Sequence, residues 1–177
     1  MAHGAHSLFL GSHTNKIDKK GRIATPAEFR KNLDTDEFNG FVCVPSLSGP
    51  YLDCGGLNLL MRFQAMIDEF PPYGEEREDF EIAIMGRARQ LGFDTDGRVL
   101  LPHPMRHHAG VDLEACFVGR GSYFQIWNAA DVEDRFAQAH ARARERRFIL
   151  NNPGAASPLA NGQSGGKSDP QGREDTP

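Results

Sequence analysis

An internal repeat constrains this chain more than any other feature of its sequence. Five residues recur in the same order and at the same spacing, each 76 positions further along the chain. Self-similarity of this kind indicates a duplicated structural unit, so the fold must accommodate two copies. The first set is Asp18, Gly21, Arg22, Pro26 and Arg30, and the second set is Asp94, Gly97, Arg98, Pro102 and Arg106.

Each copy opens with a motif that is typical of a tight hairpin turn. Residues 18–21 read Asp-Lys-Lys-Gly, and residues 94–97 read Asp-Thr-Asp-Gly. In such turns the Asp side chain caps the backbone, and the Gly takes the left-handed conformation of a bulge. We therefore expect Arg22 and Arg98, which follow the two turns, to leave them at equivalent exposed points.

Short strands and helices are predicted after the turns. Residues 23–25 and 99–101 favour strands, and each stretch is closed by a proline that cannot donate to a central ladder. In the first copy, residues 25–28 (Thr-Pro-Ala-Glu) have the spacing of a capping box at a helix start. The second copy lacks this cap, so its helix is expected to be shorter or irregular before Gly110 ends it.

Three longer helices are predicted from apolar residues at helical spacing. The first runs through residues 59–70 and ends before the prolines at 71–72. The second runs through residues 80–91, between the copies, and ends at Gly92, while the third runs through residues 132–143. The two halves are expected to share one β core, which makes the predicted fold mainly β with flanking helices.

The composition predicts one folded region between two loosely organised ends. The chain has 177 residues, 39% hydrophobic and 25% charged, which is enough to bury a substantial core. Residues 151–177 are rich in Asn, Pro, Gly, Ser and Gln, so a disordered tail is predicted there, and residues 1–6 are expected to be flexible. The remainder divides into a first half at 7–70, an acidic linker with the connecting helix at 71–92, and a second half at 93–150.

The charge of the chain is unevenly distributed. The formal net charge is −4, which by itself argues against a nucleic-acid-binding protein. Residues 68–81 hold seven acids and a single arginine, however, whereas residues 16–30 carry five bases and two acids. A polyanion responds to the local field, so a basic face is compatible with the acidic total.

The cysteines and the apolar pattern favour an intracellular location. Cys43, Cys54 and Cys116 form no CxxC pair and are odd in number, so we predict reduced cytoplasmic thiols rather than a zinc ribbon or a disulfide framework. The start of the chain has no signal-peptide pattern, and no later run approaches the roughly 18 apolar residues of a membrane span. We therefore expect a cytoplasmic protein.

Several motifs occur together in an order that is specific to one protein family. They are Phe9-x-Gly11, residues 17–23, residues 26–30, residues 94–98, Pro102-x-x-x-Arg106, residues 117–119 and residues 125–127. Over roughly residues 8–147 the chain resembles the MraZ transcriptional regulators. The resemblance implies a SpoVT/AbrB-like fold, in which two half-repeats form an intramolecular pseudo-dimer around a swapped-hairpin β-barrel.

The resemblance also implies a function. Members of the family are non-enzymatic, sequence-specific DNA-binding proteins that assemble into closed homo-oligomeric rings. They act at repeated promoter sites upstream of the operon for cell division and cell-wall synthesis, and they are found with the nucleoid. We therefore expect double-stranded DNA and further copies of the chain as partners, with no cofactor.

The functional signature of the family, Asp-x-x-x-Arg, maps onto the two turns of this chain. A guanidinium held beside a rigid turn can bind phosphate, or the edge of a guanine, through two hydrogen bonds. The turn-shaping residues of the two signatures are Asp18, Gly21, Asp94 and Gly97. The candidate DNA-binding residues are Arg22, Arg98, Lys16, Lys19, Lys20, Arg30 and Arg106.

Two details of this assignment have alternatives. Arg30 and Arg106 could equally be structural, pairing with acids such as Glu28 or with carbonyls at a helix end. The second turn exposes Thr95 and Asp96 where the first exposes two lysines, so the second copy is expected to contact a phosphate backbone less well.

Two other classes of function remain open from the sequence. Paired hairpins can contact a protein partner, which would make the chain an oligomeric protein-interaction module. His103 and His107 have the i, i+4 spacing of a metal-binding pair, with His108 beside them, and such a pair is found in metal-dependent enzymes. No third ligand stands at a recognisable spacing, so we prefer the DNA-binding regulator and predict neither a metal nor an enzyme activity.

Overall fold

The computed structural model describes residues 8–33 and 38–153. The chain divides into two units, residues 1–135 and residues 136–177. All strands assigned within the described residues belong to the first unit. The described part of the second unit consists mainly of most of one long helix and a short helix after it.

Eight strands and six α-helices are assigned within the described residues. The strands are β1 (Ser12–Lys16), β2 (Arg22–Ala24), β3 (Gly40–Pro45), β4 (Leu52–Gly55), β5 (Arg89–Gly92), β6 (Arg98–Leu100), β7 (Glu114–Gly119) and β8 (Phe124–Asn128). The helices are α1 (Ala27–Leu33), α2 (Leu57–Asp68), α3 (Glu75–Phe80), α4 (His103–Ala109), α5 (Val132–Glu145) and α6 (Arg147–Asn151), with a π-helical turn at Glu81–Met85 and a 3₁₀ turn at Ala129–Asp131.

Six strands form one antiparallel sheet. Although β5 lies in the segment predicted to be a linker, it stands at the 76-residue offset from β1, so we count it with the second copy and each copy contributes three strands. The strand order is β1-β7-β8-β4-β3-β5. The first strand of each copy pairs with the other copy, because β1 lies beside β7 and β5 lies beside β3. In the middle of the sheet, β4 of the first copy pairs with β8 of the second. Neither copy can therefore complete its part of the sheet alone.

The strands that follow the two hairpin turns form a separate two-stranded ribbon. In this ribbon β2 and β6 are antiparallel, with Ile23 opposite Val99. Both of these side chains are buried, whereas the residues on either side of each of them face outward. The ribbon thus has one face toward the core and one face toward solvent.

Aromatic side chains from both copies fill the main core. The Phe124 ring lies 5.2 Å from the ring centres of Phe29 and Phe41 and 5.1 Å from that of Phe9. Phe117 completes the cluster, and all five rings are buried. Buried aromatic rings at these separations stabilise a fold through their large apolar area and their edge-to-face contacts. The core is therefore built from side chains of both copies.

The fold class predicted from the sequence is confirmed at the level of mainly β structure with flanking helices. The large sheet is open, with β1 and β5 at its edges. The finer expectation, a SpoVT/AbrB-like swapped-hairpin barrel formed as a pseudo-dimer, stays a prediction.

The prediction of a helix through residues 80–91 is wrong in its second half. Helical structure ends with the π-helical turn, and residues 89–92 form β5. Leu91 is buried in the core, opposite Phe41 of β3. Pairing with a strand of the other copy outweighs the helical spacing of the apolar residues, and this pairing is not visible in a local window of sequence. The helix predicted over residues 59–70 corresponds to α2 and the one over 132–143 to α5.

The predicted capping box at Thr25 is also wrong. The Thr25 side chain is 4% exposed, and its hydroxyl has no hydrogen-bond partner within the described residues. The backbone N–H of Thr25 instead donates to the Gly97 carbonyl at 3.0 Å, which directs the residue toward the other copy. The helix of the second copy, α4, is as long as α1, and it ends as predicted at Gly110 in the left-handed conformation, with φ of 61°.

The remaining predictions concern the ends and the cysteines. The flexible segment at residues 1–6 lies outside the described residues, as does most of the tail at 151–177, of which residues 151–153 are described. All three cysteines are buried free thiols. Within the described residues, no helix is both long and apolar enough to cross a membrane.

Candidate nucleic-acid interface

The first turn is organised by the carboxylate of Asp18. Its Oδ1 atom accepts hydrogen bonds from the backbone N–H groups of Lys20, at 2.8 Å, and Arg22, at 2.9 Å. Its Oδ2 atom accepts from Nε of the Arg22 side chain at 2.7 Å. One side chain therefore closes the turn and also holds the guanidinium in place.

The second turn repeats this arrangement. Asp94 accepts from the backbone N–H groups of Asp96, at 3.0 Å, and Arg98, at 2.9 Å, and from Arg98 Nε at 2.9 Å. Gly21 and Gly97 close the two turns with φ of 84° and 71°, the left-handed region that favours glycine. The duplicated Asp-x-x-x-Arg motif is thus a duplicated turn with a bound arginine.

The two arginines differ in what their outer nitrogens contact. For Arg22, no partner of Nη1 or Nη2 occurs within the described residues, since its ion pair with Asp18 uses Nε. Arg98 binds Asp94 through Nε in the same way, but its Nη2 also lies 2.7 Å from Asp96. The outer edge of the first guanidinium is therefore available to a ligand, while that of the second is partly occupied.

The ribbon brings the two arginines to one surface. Arg22 lies opposite Leu100, and Arg98 lies opposite Ala24, so all four residues share the outward face of the ribbon. Diagonal neighbours of this kind are about 7–8 Å apart in an antiparallel pair. The side chains of Arg22 and Arg98 are 34% and 32% exposed. The surface can therefore present both guanidinium groups to one ligand.

Arg30 and Arg106 cross from one copy to the turn of the other. The Arg30 guanidinium lies against Gly97 and occupies the space that a Cβ atom at this position would need. Reciprocally, the Arg106 guanidinium carbon lies 3.5 Å from where a Cβ atom of Gly21 would stand. The Nε atoms of both arginines are buried without a hydrogen-bond partner within the described residues. The sequence could not reveal this crossing, because it depends on how the copies pair.

The lysines predicted for the interface lie in two places. Lys19 and Lys20 are exposed at the tip of the first turn, where the second turn has the exposed residues Thr95 and Asp96. Lys16, at the end of β1, lies opposite Glu114 and is exposed. The first turn is therefore basic and the second is not.

Sequence reasoning missed two residues of this surface. Leu100 is exposed on the outward face between the arginines, and Asn15 ties β1 to the ribbon by donating from Nδ2 to the Ala24 carbonyl at 2.7 Å. The alternation of apolar and polar residues in the short strands could have indicated which residues are exposed. The register between the two strands, which places Leu100 between the arginines, could not be read from the sequence.

The histidines do not form a recognisable metal site. The ring centres of His103 and His107 are 6.2 Å apart on α4. Within the described residues, no group of three or more potential metal ligands comes together. The structure therefore adds no further ligand to the pair His103 and His107, on which the alternative of a metal-dependent enzyme depends.

The hydrogen bonds within the first turn lower the pKa of Asp18 from 3.8 to about 2, mainly because its carboxylate accepts a hydrogen bond from the backbone N–H of Arg22. The pKa of Asp94 is lowered by the equivalent bond from Arg98. A carboxyl group with a lower pKa in the folded state stabilises the fold above its ordinary pKa, and this contribution is lost as the pH falls through the lowered value.

We accordingly expect the stability contributed by Asp18 to be complete above about pH 4 and to be lost toward about pH 2. Asp18→Asn removes the titrating group, so the thermal unfolding midpoint of the variant should fall less steeply than that of the natural chain between these pH values. The measurement is a series of thermal unfolding curves from pH 5 to pH 2. Parallel curves for the two proteins would contradict the role given to Asp18.

The two turn glycines should differ in their tolerance of alanine. Both substitutions place a Cβ atom on a left-handed backbone, which costs about 1–2 kcal/mol. Gly97→Ala also displaces the Arg30 guanidinium, whereas at Gly21 the nearest atoms are 3.5 Å away. Denaturant unfolding should therefore show a larger loss of stability for Gly97→Ala than for Gly21→Ala, and the reverse order would argue against the crossed contact.

Comparison with known proteins identifies the family of the chain. A family model described as "MraZ protein, putative antitoxin-like" matches residues 84–152. The Transcriptional regulator MraZ of Rickettsia akari (strain Hartford) is 40% identical over 146 residues, which cover 82% of this chain and 98% of that protein. This chain belongs to the MraZ family.

A second MraZ protein gives the same picture. The Transcriptional regulator MraZ of Rickettsia bellii (strain OSU 85-389) is 41% identical over 147 residues, again covering 82% of this chain and 98% of the relative. The resemblance inferred from the paired motifs is therefore confirmed at the level of the MraZ family. Because the relatives are covered almost completely, the likeness extends to both copies of the repeat.

Proposed function

We propose that this MraZ-family chain is a transcriptional regulator that binds double-stranded DNA through the outward face of the β2–β6 ribbon. The names of its relatives support regulation of transcription. The observation that carries the DNA interface is the placement of Arg22 and Arg98, partly exposed and held by Asp18 and Asp94, on one face of that ribbon.

The dimensions of the ribbon suit the major groove of DNA. The groove is about 12 Å wide and admits a two-stranded β-ribbon. The diagonal backbone positions of Arg22 and Arg98, about 7–8 Å apart, are separated by roughly two base-pair steps of about 3.4 Å each. An arginine already oriented by a carboxylate loses little freedom when its outer nitrogens bind guanine O6 and N7 or a phosphate.

The other candidate residues have supporting roles in this proposal. Lys19 and Lys20 contact phosphates and position the protein without reading sequence. Lys16, at the end of β1, adds positive charge near the first turn. Arg30 and Arg106 contribute charge beneath the turns and hold them in place. The turn of the first copy is the stronger contact, because Asp96 both repels phosphate and occupies Arg98.

The proposal includes assembly into a closed homo-oligomeric ring. Two arginines and a few lysines per chain give weak binding that falls steeply with salt, with a logarithmic slope of about −0.9 per phosphate neutralised. Several copies on one particle, presented to repeated promoter sites, raise the affinity through effective concentration. By its family, the chain would act in the cytoplasm with the nucleoid, on the operon for cell division and cell-wall synthesis, and its halves would form the SpoVT/AbrB-like pseudo-dimer.

The direct test is a fluorescence anisotropy titration at two salt concentrations. The probes are a duplex from the promoter of that operon with its repeats intact and the same duplex with the repeats scrambled. We expect tighter binding to the intact repeats, and affinity for both duplexes should fall as salt rises. Weak binding that ignores the repeats would overturn the proposal and favour the protein-interaction module.

A further inference from the structure

An apolar groove lies outside the DNA interface, between the β3–β4 turn, α2 and α3. Its volume is about 320 Å³, and almost all of its surface is apolar. Val44, Ile67 and Ile84 form its buried floor, and Leu47 and Met66 are exposed at its rim. Apolar side chains that are exposed together around an open groove are a candidate interaction surface.

The segment that supplies Phe70 and Phe80 to the groove is strongly acidic, and we call it the acidic rim. Residues 68–81, which run from the end of α2 through α3, hold seven acids and one arginine. That arginine, Arg77, is held by Asp68 and Glu81, each at 2.8 Å. The remaining acids form no ion pair within the described residues, and they are Glu69, Glu75, Glu76, Glu78 and Asp79. The groove therefore favours a partner that is apolar at its centre and basic around it.

The C-terminal helices of this same chain have these two properties. Residues 142–147 hold four arginines and one glutamate. Phe148 and Leu150, directly after them, are 60% and 85% exposed. The α5 side chains beyond Val132 are exposed along the helix. A single helix of this length is only marginally stable in water without packing against another surface.

We propose that the end of α5 together with α6 docks into the groove of a second copy of the chain. Phe148 and Leu150 enter the apolar groove, and Arg146 and Arg147 face the acidic rim. The donor surface and the acceptor surface differ, so the contact is head-to-tail, and such contacts generate rings when the rotation closes. The inference rests on the proposed self-assembly but not on DNA binding.

The test measures the mass of the full chain in solution, without DNA, by light scattering coupled to gel filtration. Phe148→Asp with Leu150→Asp removes the apolar tip, and Leu47→Asp with Met66→Asp blocks the groove. All four positions are exposed or at the rim, so both double variants are expected to fold, which circular dichroism checks. Each double variant should be monomeric where the natural chain is oligomeric.

Mixing the two double variants gives the sharper result. One retains an intact groove and the other an intact helix tip, so a mixture should form a complex of two chains and stop there. Arg146→Glu with Arg147→Glu should also lower the mass, with partial recovery when Glu78→Arg and Asp79→Arg are added. The matched control, Arg146→Lys with Arg147→Lys, keeps the charge and should leave the mass unchanged.

The outcomes separate this inference from the proposed function. An oligomer whose mass is unaffected by every variant, or a mixture that stays monomeric, would overturn the docking surface alone. A monomeric natural chain would overturn both the docking surface and the proposed ring. DNA binding by the ribbon is measured independently, since a monomeric variant with intact arginines should still bind a duplex weakly in anisotropy.

Discussion

Arg22→Ala should lower the affinity of the protein for a duplex with several repeats by about 100-fold or more. One bidentate contact of an arginine to a guanine is worth about 1–3 kcal/mol, and several copies in one oligomer lose the contact together. Arg98→Ala should cost about tenfold or less, because Asp96 already occupies part of that guanidinium. The measurement is the same anisotropy titration at fixed salt.

Two further variants identify the source of this effect. Arg22→Lys keeps the positive charge but cannot make two parallel hydrogen bonds to one base. The variant should therefore retain the salt dependence of binding and lose the preference for intact repeats. Arg62→Ala is the control, since Arg62 contacts Ser122 and not the ribbon, and its effect should stay within about twofold. Equal losses for Arg62→Ala and Arg22→Ala would indicate a general effect of charge and contradict a specific contact.

The second large effect is a crossed coupling between the copies. Arg106→Met should weaken DNA binding by about tenfold, because the Arg106 guanidinium packs beside Gly21 and holds the turn that presents Arg22. In a double-mutant cycle this loss should largely disappear in the Arg22→Ala background and persist in the Arg98→Ala background. For Arg30→Met we expect the reverse: its loss of binding should largely disappear in the Arg98→Ala background and persist in the Arg22→Ala background.

This crossed pattern distinguishes positioning from direct contact. If Arg106 binds a phosphate itself, its loss should be additive with both of the other arginines and should reduce the salt slope by about 0.9. If Arg106 only stabilises the fold, its loss should lower the unfolding midpoint without any preference for Arg22 over Arg98. Either result would contradict the crossed role.

The local parts of the site could be predicted from the sequence. The Asp and Gly of each turn have conformational roles that depend on four or five consecutive residues, and the structure places Asp18 and Asp94 in those roles. Gly110 ended its helix as expected for the same reason. The family could be inferred because the same local motif occurs twice at one spacing.

The non-local parts could not be predicted in this way. Nothing near Arg22 or Arg98 in sequence indicates that β2 and β6 pair in the register that puts both on one face. The strand at residues 89–92 was missed because its partner, β3, lies in the other copy. The capping box failed for a related reason, since Thr25 is bonded to the other copy through its backbone.

The most direct test of the ribbon as the DNA interface is protection of a single new thiol. Leu100→Cys places a cysteine on the outward face between the arginines, and the three natural cysteines are buried. Met61→Cys, on the exposed side of α2, is the matched control. Promoter DNA with intact repeats should slow alkylation by iodoacetamide more than tenfold at position 100 and leave position 61 unchanged. Unaltered alkylation at position 100, under conditions where anisotropy shows the DNA to be bound, would contradict the account.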